Sequence, residues 1–257
     1  MSKLKVDRIT LTFKGIAALL DVSFTVPEGT ITSLIGPNGA GKTSMLNCVS
    51  GRYKPDKGSI SLNDQPLLPI PAYRRTELGL SRTFQNIALF KGLSVLDNLT
   101  VGRHQRIDYG LLASVLYWGP ARRKEDKHRR KVEEVIDFLN LSPYRHHPAG
   151  FLPYGVQKRV ELGRALASDP ALILLDEPMA GMNMEETEDM ARYILDINEE
   201  WGVTILLVEH DMGVVMDISE QVVVLNFGSV LAEGSPAEVA RDPEVIRAYL
   251  GNEEALP

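Results

Sequence analysis

Cysteine is nearly absent from this chain: Cys48 is the only one in 257 residues. No intrachain disulfide can form, which suits a reducing compartment. Cys48 itself is expected to pack on a helix rather than to do redox work. Long apolar runs are missing as well. A stretch such as 171–175 is about a quarter of the ~20 residues that a membrane-crossing helix needs. Met1-Ser2-Lys3-Leu4-Lys5 is not followed by an apolar signal region. There is no basic excess either. The formal net charge is −6, so the chain has no global electrostatic footprint for nucleic acid, and none is expected as a partner. No internal repeat and no low-complexity tract interrupts it. What remains is 44% apolar, enough to bury a substantial core in a single domain over 1–257. The expectation is a soluble cytosolic chain that ends about where its core does, with no room for a further regulatory domain.

The most informative run is Gly36-Pro37-Asn38-Gly39-Ala40-Gly41-Lys42-Thr43, followed by Ser44. It matches the pattern G-x-x-x-x-G-K-[ST] of a phosphate-binding loop. Glycines let consecutive N–H groups turn inward around phosphate oxygens, and a helix N-terminus adds favourable partial charge. Lys42 would reach the β- and γ-phosphates, and the Thr43 hydroxyl would coordinate Mg²⁺. The β-branched run 30–35 predicts a strand before the loop, and 42–50 predicts a helix after it.

A second run, 171–175, is apolar and bounded by Pro170 and Pro178, as suits a strand buried on both faces. It delivers Asp176 and Glu177 to a C-terminal strand edge, where open α/β sheets bind ligands. Asp176 would hold Mg²⁺ through its water shell. Glu177 would polarise the water that attacks the γ-phosphate. Lys42 and Asp176 are expected on neighbouring strands. A third strand, 203–208, leads into Glu209-His210-Asp211 on the same edge. A neutral His210 imidazole would contact the γ-phosphate and orient the water or Glu177.

Coarser patterning predicts strands over 4–35 and short strands and turns to about residue 63. It predicts mainly helix from about 94 to 168, a helix over 184–201, a hairpin over 221–232 and a short helix over 243–250. The basic run 122–131 reads as a solvated helix face, with attraction to anionic headgroups or a protein partner as the sharper alternative.

The order of these motifs resembles the ATP-binding subunits of ATP-binding-cassette (ABC) transporters over nearly the whole chain. The resemblance implies an α/β P-loop NTPase fold with an N-terminal antiparallel β subdomain and an inserted helical subdomain at about 94–168. It implies ATP as substrate and Mg²⁺ as cofactor. Gln85, in Arg82-Thr83-Phe84-Gln85, matches the family's glutamine, which senses the γ-phosphate and the membrane partner and joins Thr43 and Asp176 around the metal. Phe13 matches the aromatic that stacks on adenine, although a buried strand aromatic would read the same way. Leu152-Pro153-Tyr154-Gly155-Val156 occupies the slot of the signature loop, which caps the ATP of a second subunit paired head to tail.

Within the family, Ala180-Gly181-Met182-Asn183, Glu209-His210-Asp211-Met212 and the run 245–251 resemble the ATPases of branched-chain amino-acid importers, as does the long segment 101–130. That implies a second ATPase subunit, two transmembrane permeases and, indirectly, a periplasmic binding protein, with this chain peripheral on the cytoplasmic face of the inner membrane. Urea or another small amide, lipid export, and a soluble ATPase outside transport stay open as alternatives. So do the direction of transport and a homo- or heterodimer. One departure stands out. Where the family has Leu-Ser-Gly-Gly-Gln, Pro153 removes a hydroxyl and a backbone N–H from the cap.

Overall fold

A computed structural model describes residues 2–85, 87–104 and 120–250, with the side chains of 2, 120–124 and 250 excepted. Asn86 and residues 105–119, the middle of the long segment 101–130, therefore lie outside the described residues.

The chain opens with two long strands, β1 (Ser2–Phe13) and β2 (Ile16–Pro27), whose alternating apolar residues face inward. With β4 (Lys57–Leu62) and β5 (Gln65–Pro66) they form an antiparallel sheet of order β2-β1-β4-β5. The second sheet contains β3 (Ile31–Ile35), β6 (Leu80–Arg82), β7 (Leu172–Asp176), β8 (Thr204–Val208), β9 (Gln221–Asn226) and β10 (Ser229–Gly234). Its order is β10-β9-β3-β8-β7-β6, parallel except for the β9–β10 hairpin.

Strand order corrects one expectation. Lys42 and Asp176 do not follow neighbouring strands, because β8 lies between β3 and β7. All five β8 residues are buried, and so unbroken an apolar strand belongs in the middle of a sheet covered on both faces. The consequence is functional. Residues just past β8 emerge between the phosphate loop and the carboxylates.

Period-two alternation on β7 and β8 divides two cores. Leu172, Leu174, Leu206 and Val208 pack toward the antiparallel sheet and helix α1 (Lys42–Ser50), where Cys48 is fully buried. Ile173, Leu175, Ile205 and Leu207 pack on the other side, against helices. Those helices are α3 (Val95–Arg103), α4 (Pro120–Phe138), α5 (Tyr154–Leu166) and α6 (Met184–Trp201); the short α2 (Ala72–Arg75) precedes β6. Between β6 and β7 the described chain is helical apart from its connections. On α4 the charged run from Glu125 to Arg130 is exposed save for half-buried His128. Helices α7 (Met212–Ile218), α8 (Pro236–Val239) and α9 (Pro243–Leu250) close the described chain.

Candidate nucleotide site

The phosphate loop is built by backbone geometry. Gly36 sits at φ +146°, and a Cβ there would stand 2.1 Å from the Leu225 carbonyl oxygen. Gly41 is the N-cap of α1 at φ +104°, with a Cβ position 2.6 Å from the Ala18 carbonyl. Neither position admits a side chain. Helix α1 has no side-chain cap and no acidic residue in its first turn, so its N–H groups stay available to an anion. Asn38, Gly39 and Thr43 are exposed along the rim, Pro37 and Ser44 are half-buried, and Ala40 is buried beneath.

Lys42 is folded back into its own loop. Its Nζ donates to the carbonyls of Gly36 at 2.6 Å and Pro37 at 3.1 Å. Burial lowers its pKa, and the nearby charges of Glu177 and Asp176 oppose that shift.

The carboxylate edge is built by side chains from several elements. Arg82, at the end of β6, donates to Asp176 Oδ2 at 2.8 Å, to Asn47 Oδ1 at 2.7 Å and to Ser50 Oγ at 2.8 Å. One guanidinium thus joins β6, β7 and α1, with 8% and 2% of the Arg82 and Asp176 side chains exposed. The other carboxylate oxygen, Asp176 Oδ1, is buried and has no hydrogen-bond partner among the described residues. An unpaired buried carboxylate oxygen is costly, and a cation or water would satisfy it. Among the described residues no group of three or more His, Cys, Asp or Glu could hold a metal alone. A cation at Asp176 would take further oxygens from a ligand or water.

Glu177 adopts φ +49°, left-handed for a residue with a Cβ. Its N–H donates to the Val208 carbonyl at 2.9 Å, and its Oε2 accepts from Gln85 Nε2 at 2.9 Å. Gln85 and Glu177 are 92 positions apart in sequence. His210 emerges two residues past Val208 and is mostly exposed, its Nδ1 3.7 Å from Glu209 Oε2. No hydrogen bond joins it to Glu177 among the described residues. Glu209 is buried and accepts from the N–H groups of Met179 at 3.0 Å and His210 at 3.1 Å. Burial raises its pKa above the usual carboxylate range, and those two N–H groups oppose the rise.

Phe13 ends β1 with 43% of its surface exposed, so it is not a buried strand aromatic. Its ring meets Tyr53 edge-on, with centroids 5.1 Å apart. The β2 strand lies beside the phosphate loop at Ala18, whose carbonyl faces Gly41, and Leu20 N–H donates at 2.8 Å to the carbonyl of Gly228, whose own N–H donates to the Ala40 carbonyl at 3.1 Å.

Leu152–Val156 lies at the start of α5. Pro153 is the N-cap, in extended backbone without a side-chain cap, and its carbonyl accepts from Gln157 N–H at 3.0 Å. The first helical N–H groups belong to Tyr154, Gly155 and buried Val156, while Leu152 is also buried. Tyr154 lays its hydroxyl on the Ala180 carbonyl at 3.1 Å. A Cβ on Gly155 would meet the Glu186 carboxylate at 2.4 Å, so this loop rests against the chain that follows β7.

Sequence reasoning missed Arg82, Glu209 and two buried charges on α5, Lys158 and Glu161. Residues 158 and 161 share one helix face, but nothing in that spacing says that the face is buried.

The chain matches the family model described as ABC transporter over residues 19–180. It matches the one described as branched-chain amino acid ATP-binding cassette transporter over 229–255. It is 39% identical to the high-affinity branched-chain amino acid transport ATP-binding protein of Pseudomonas aeruginosa, covering 96% of this chain and 97% of that one. Among solved structures it is similar to an ATP-binding cassette of an ABC transporter in its ADP conformation, with TM-score 0.84 and 32% identity over 98% of this chain and 99% of that one. It is also similar to a dimeric cassette in a post-hydrolysis state bound to ADP and Pi, with TM-score 0.77 and 26% identity over 91% and 98%.

Proposed function

This chain belongs to the ABC transporter family, among the ATP-binding subunits of branched-chain amino-acid import, and from that premise we propose how its own residues run the cycle. The observation that carries the reading is the 2.9 Å contact of Gln85 with Glu177, beside an Asp176 whose Oδ1 is unpaired. ATP phosphates enter the loop from Gly36 to Ser44, and Lys42 exchanges the Gly36 and Pro37 carbonyls for β- and γ-phosphate oxygens. Adenine rests on the exposed ring of Phe13.

The donor set suits a hard cation: Thr43 Oγ1, Asp176 Oδ1 and the Gln85 amide oxygen would hold Mg²⁺. When bound, Mg²⁺ neutralises charge developing on the phosphates. Glu177 accepts the proton of the attacking water, with Gln85 holding one carboxylate oxygen and leaving the other free. His210, entering from β8, orients that water or the γ-phosphate.

A second ATPase subunit pairs head to tail with this one, so that the N-terminus of α5 faces the partner's nucleotide. Closure by ATP and release by hydrolysis shift the population of two permease conformations, fed by a periplasmic binding protein. No helix among the described residues is long and apolar enough to cross a membrane, in keeping with a peripheral subunit at the cytoplasmic face of the inner membrane. The test is reconstitution with the permeases and binding protein in vesicles. Leucine, isoleucine or valine should enter in step with ATP consumption. Uptake of urea alone, or ATP consumption indifferent to all three amino acids, would overturn the assignment of cargo.

A further inference from the structure

Helix α5 carries three charged residues three positions apart, Lys158, Glu161 and Arg164, and all three reach the segment after β6. Lys158 Nζ donates to the Gln85 carbonyl at 3.2 Å. Glu161 Oε1 accepts from the N–H groups of Phe84 at 3.4 Å and Ala88 at 3.3 Å. Arg164 donates to the Ala88 carbonyl. Lys158 makes one contact more, to the Glu177 carbonyl at 3.4 Å. It therefore bridges the backbones of the two residues whose side chains meet in the site.

Lys158 is 3% exposed and Glu161 2%. An ammonium so enclosed needs compensation. Burial lowers its pKa, and Glu161, Glu209, Glu177 and Asp176 oppose that shift in descending order. Glu177 needs support of its own. A left-handed backbone in a residue with a Cβ persists only where its surroundings hold it. Val208 holds its N–H, and its carbonyl accepts from Ala180 N–H at 3.2 Å and from Lys158.

We infer that Lys158 is a positioning residue for hydrolysis: by holding the carbonyls of Gln85 and Glu177 together, it fixes the approach of their side chains. It acts on its own chain's site, while the N-terminus of the same helix faces the partner's. The inference rests on Glu177 being the general base. A lysine that only stabilised the fold would lower melting temperature but leave kcat per folded enzyme unchanged, and would act independently of Glu177.

The experiment measures kcat, KM for ATP and melting temperature in the assembled transporter for Lys158→Met, Lys158→Arg, Glu177→Gln and the double variant Lys158→Met/Glu177→Gln. Misplacing catalytic groups by about 1 Å can lower turnover ~100-fold. Lys158→Met should therefore lower kcat about 10–100-fold with KM within about threefold, and Lys158→Arg should recover most of it. In single turnovers the double variant should be no more than about twofold slower than Glu177→Gln alone, because residues acting through one another are not additive. If Lys158→Met does not fold, Lys158→Gln, which keeps a neutral donor, is held to the same criteria. Unchanged kcat in a folded variant, or losses that multiply in the double variant, would overturn the inference while leaving Glu177 as base. Wild-type turnover in Glu177→Gln would instead remove the underlying reading, and the inference with it.

Discussion

The phosphate loop and the carboxylate edge occupy one end of the same sheet, yet they are made in opposite ways. The loop is a single run, Gly36 to Ser44, whose lysine donates, among the described residues, to carbonyls of the loop itself and whose shape depends on two glycines that admit no Cβ. The edge is assembled from β6, β7, α5 and the turn after β8, and its charges are satisfied by partners far away in sequence. A contiguous, backbone-made site tolerates loss of a side chain in the empty state and fails only when ligand arrives. A site of interlocked buried charges fails as soon as one member is removed, because the partner is left uncompensated.

The largest break should come at the edge. Arg82→Met leaves Asp176 buried without its cation, which typically costs about 3–5 kcal/mol. For a chain of this size each kcal/mol lowers the melting temperature by about 2–4 °C. Calorimetry of the nucleotide-free protein should therefore show a fall of roughly 6–20 °C, and a change under 2 °C would mean the edge is not interlocked as described.

Next in size is an inequality between the two composite sites of a heterodimer. In the head-to-tail pairing proposed above, the site capped by this chain would lack the hydroxyl and amide donor that Pro153 removes, leaving the N–H groups of Tyr154, Gly155 and Val156. Loss of such a donor costs about 2.7–4 kcal/mol in the transition state, or 10²–10³ in rate. With a general-base variant in each subunit in turn, Glu177→Gln should abolish hydrolysis and the partner's variant should spare most of it. Equal losses from both would remove the asymmetry.

Lys42→Ala sharpens the contrast from the loop side. Its melting temperature without nucleotide should fall far less than that of Arg82→Met, since its two hydrogen bonds among the described residues go to carbonyls of its own loop and its charge only opposes Glu177 and Asp176 at longer range. ATP at 100 times the wild-type Kd stabilises by about 2.7 kcal/mol, and that gain should vanish. An undiminished ATP-induced shift would misplace the site. The smallest effect concerns Cys48, behind the loop on α1, whose thiol is pushed up to about 11 by burial. Thiol reagents at pH 8 should label it only as fast as the protein unfolds.

The same contrast explains what the sequence discloses. Backbone-made chemistry leaves a contiguous pattern, so the loop and the pair Asp176–Glu177 are legible from residue types and spacing, and Gln85 follows from resemblance. The positions of β3, α1 and α6 follow from residue pattern, at 30–35, 42–50 and 184–201. Strand order is not legible. Nothing local says that β8 inserts between β3 and β7, since sequence order leaves sheet order open. Arg82, Lys158 and Glu161 are illegible for a related reason. A charged residue on a strand end or a helix reads as solvated, and only tertiary packing reveals that these are buried against backbone groups and other charges.

On the proposed reading, hydrolysis depends on Glu177 as base, at an edge distinct from the loop proposed to hold the ATP phosphates. The most direct test of that dependence compares ATP affinity and single-turnover hydrolysis in Glu177→Gln and wild type on one preparation. Affinity should stay within about threefold while hydrolysis falls by about 10²–10⁴, the range for a positioned general base. Hydrolysis within twofold of wild type, or a loss of affinity that accounts for the whole deficit, would contradict the account.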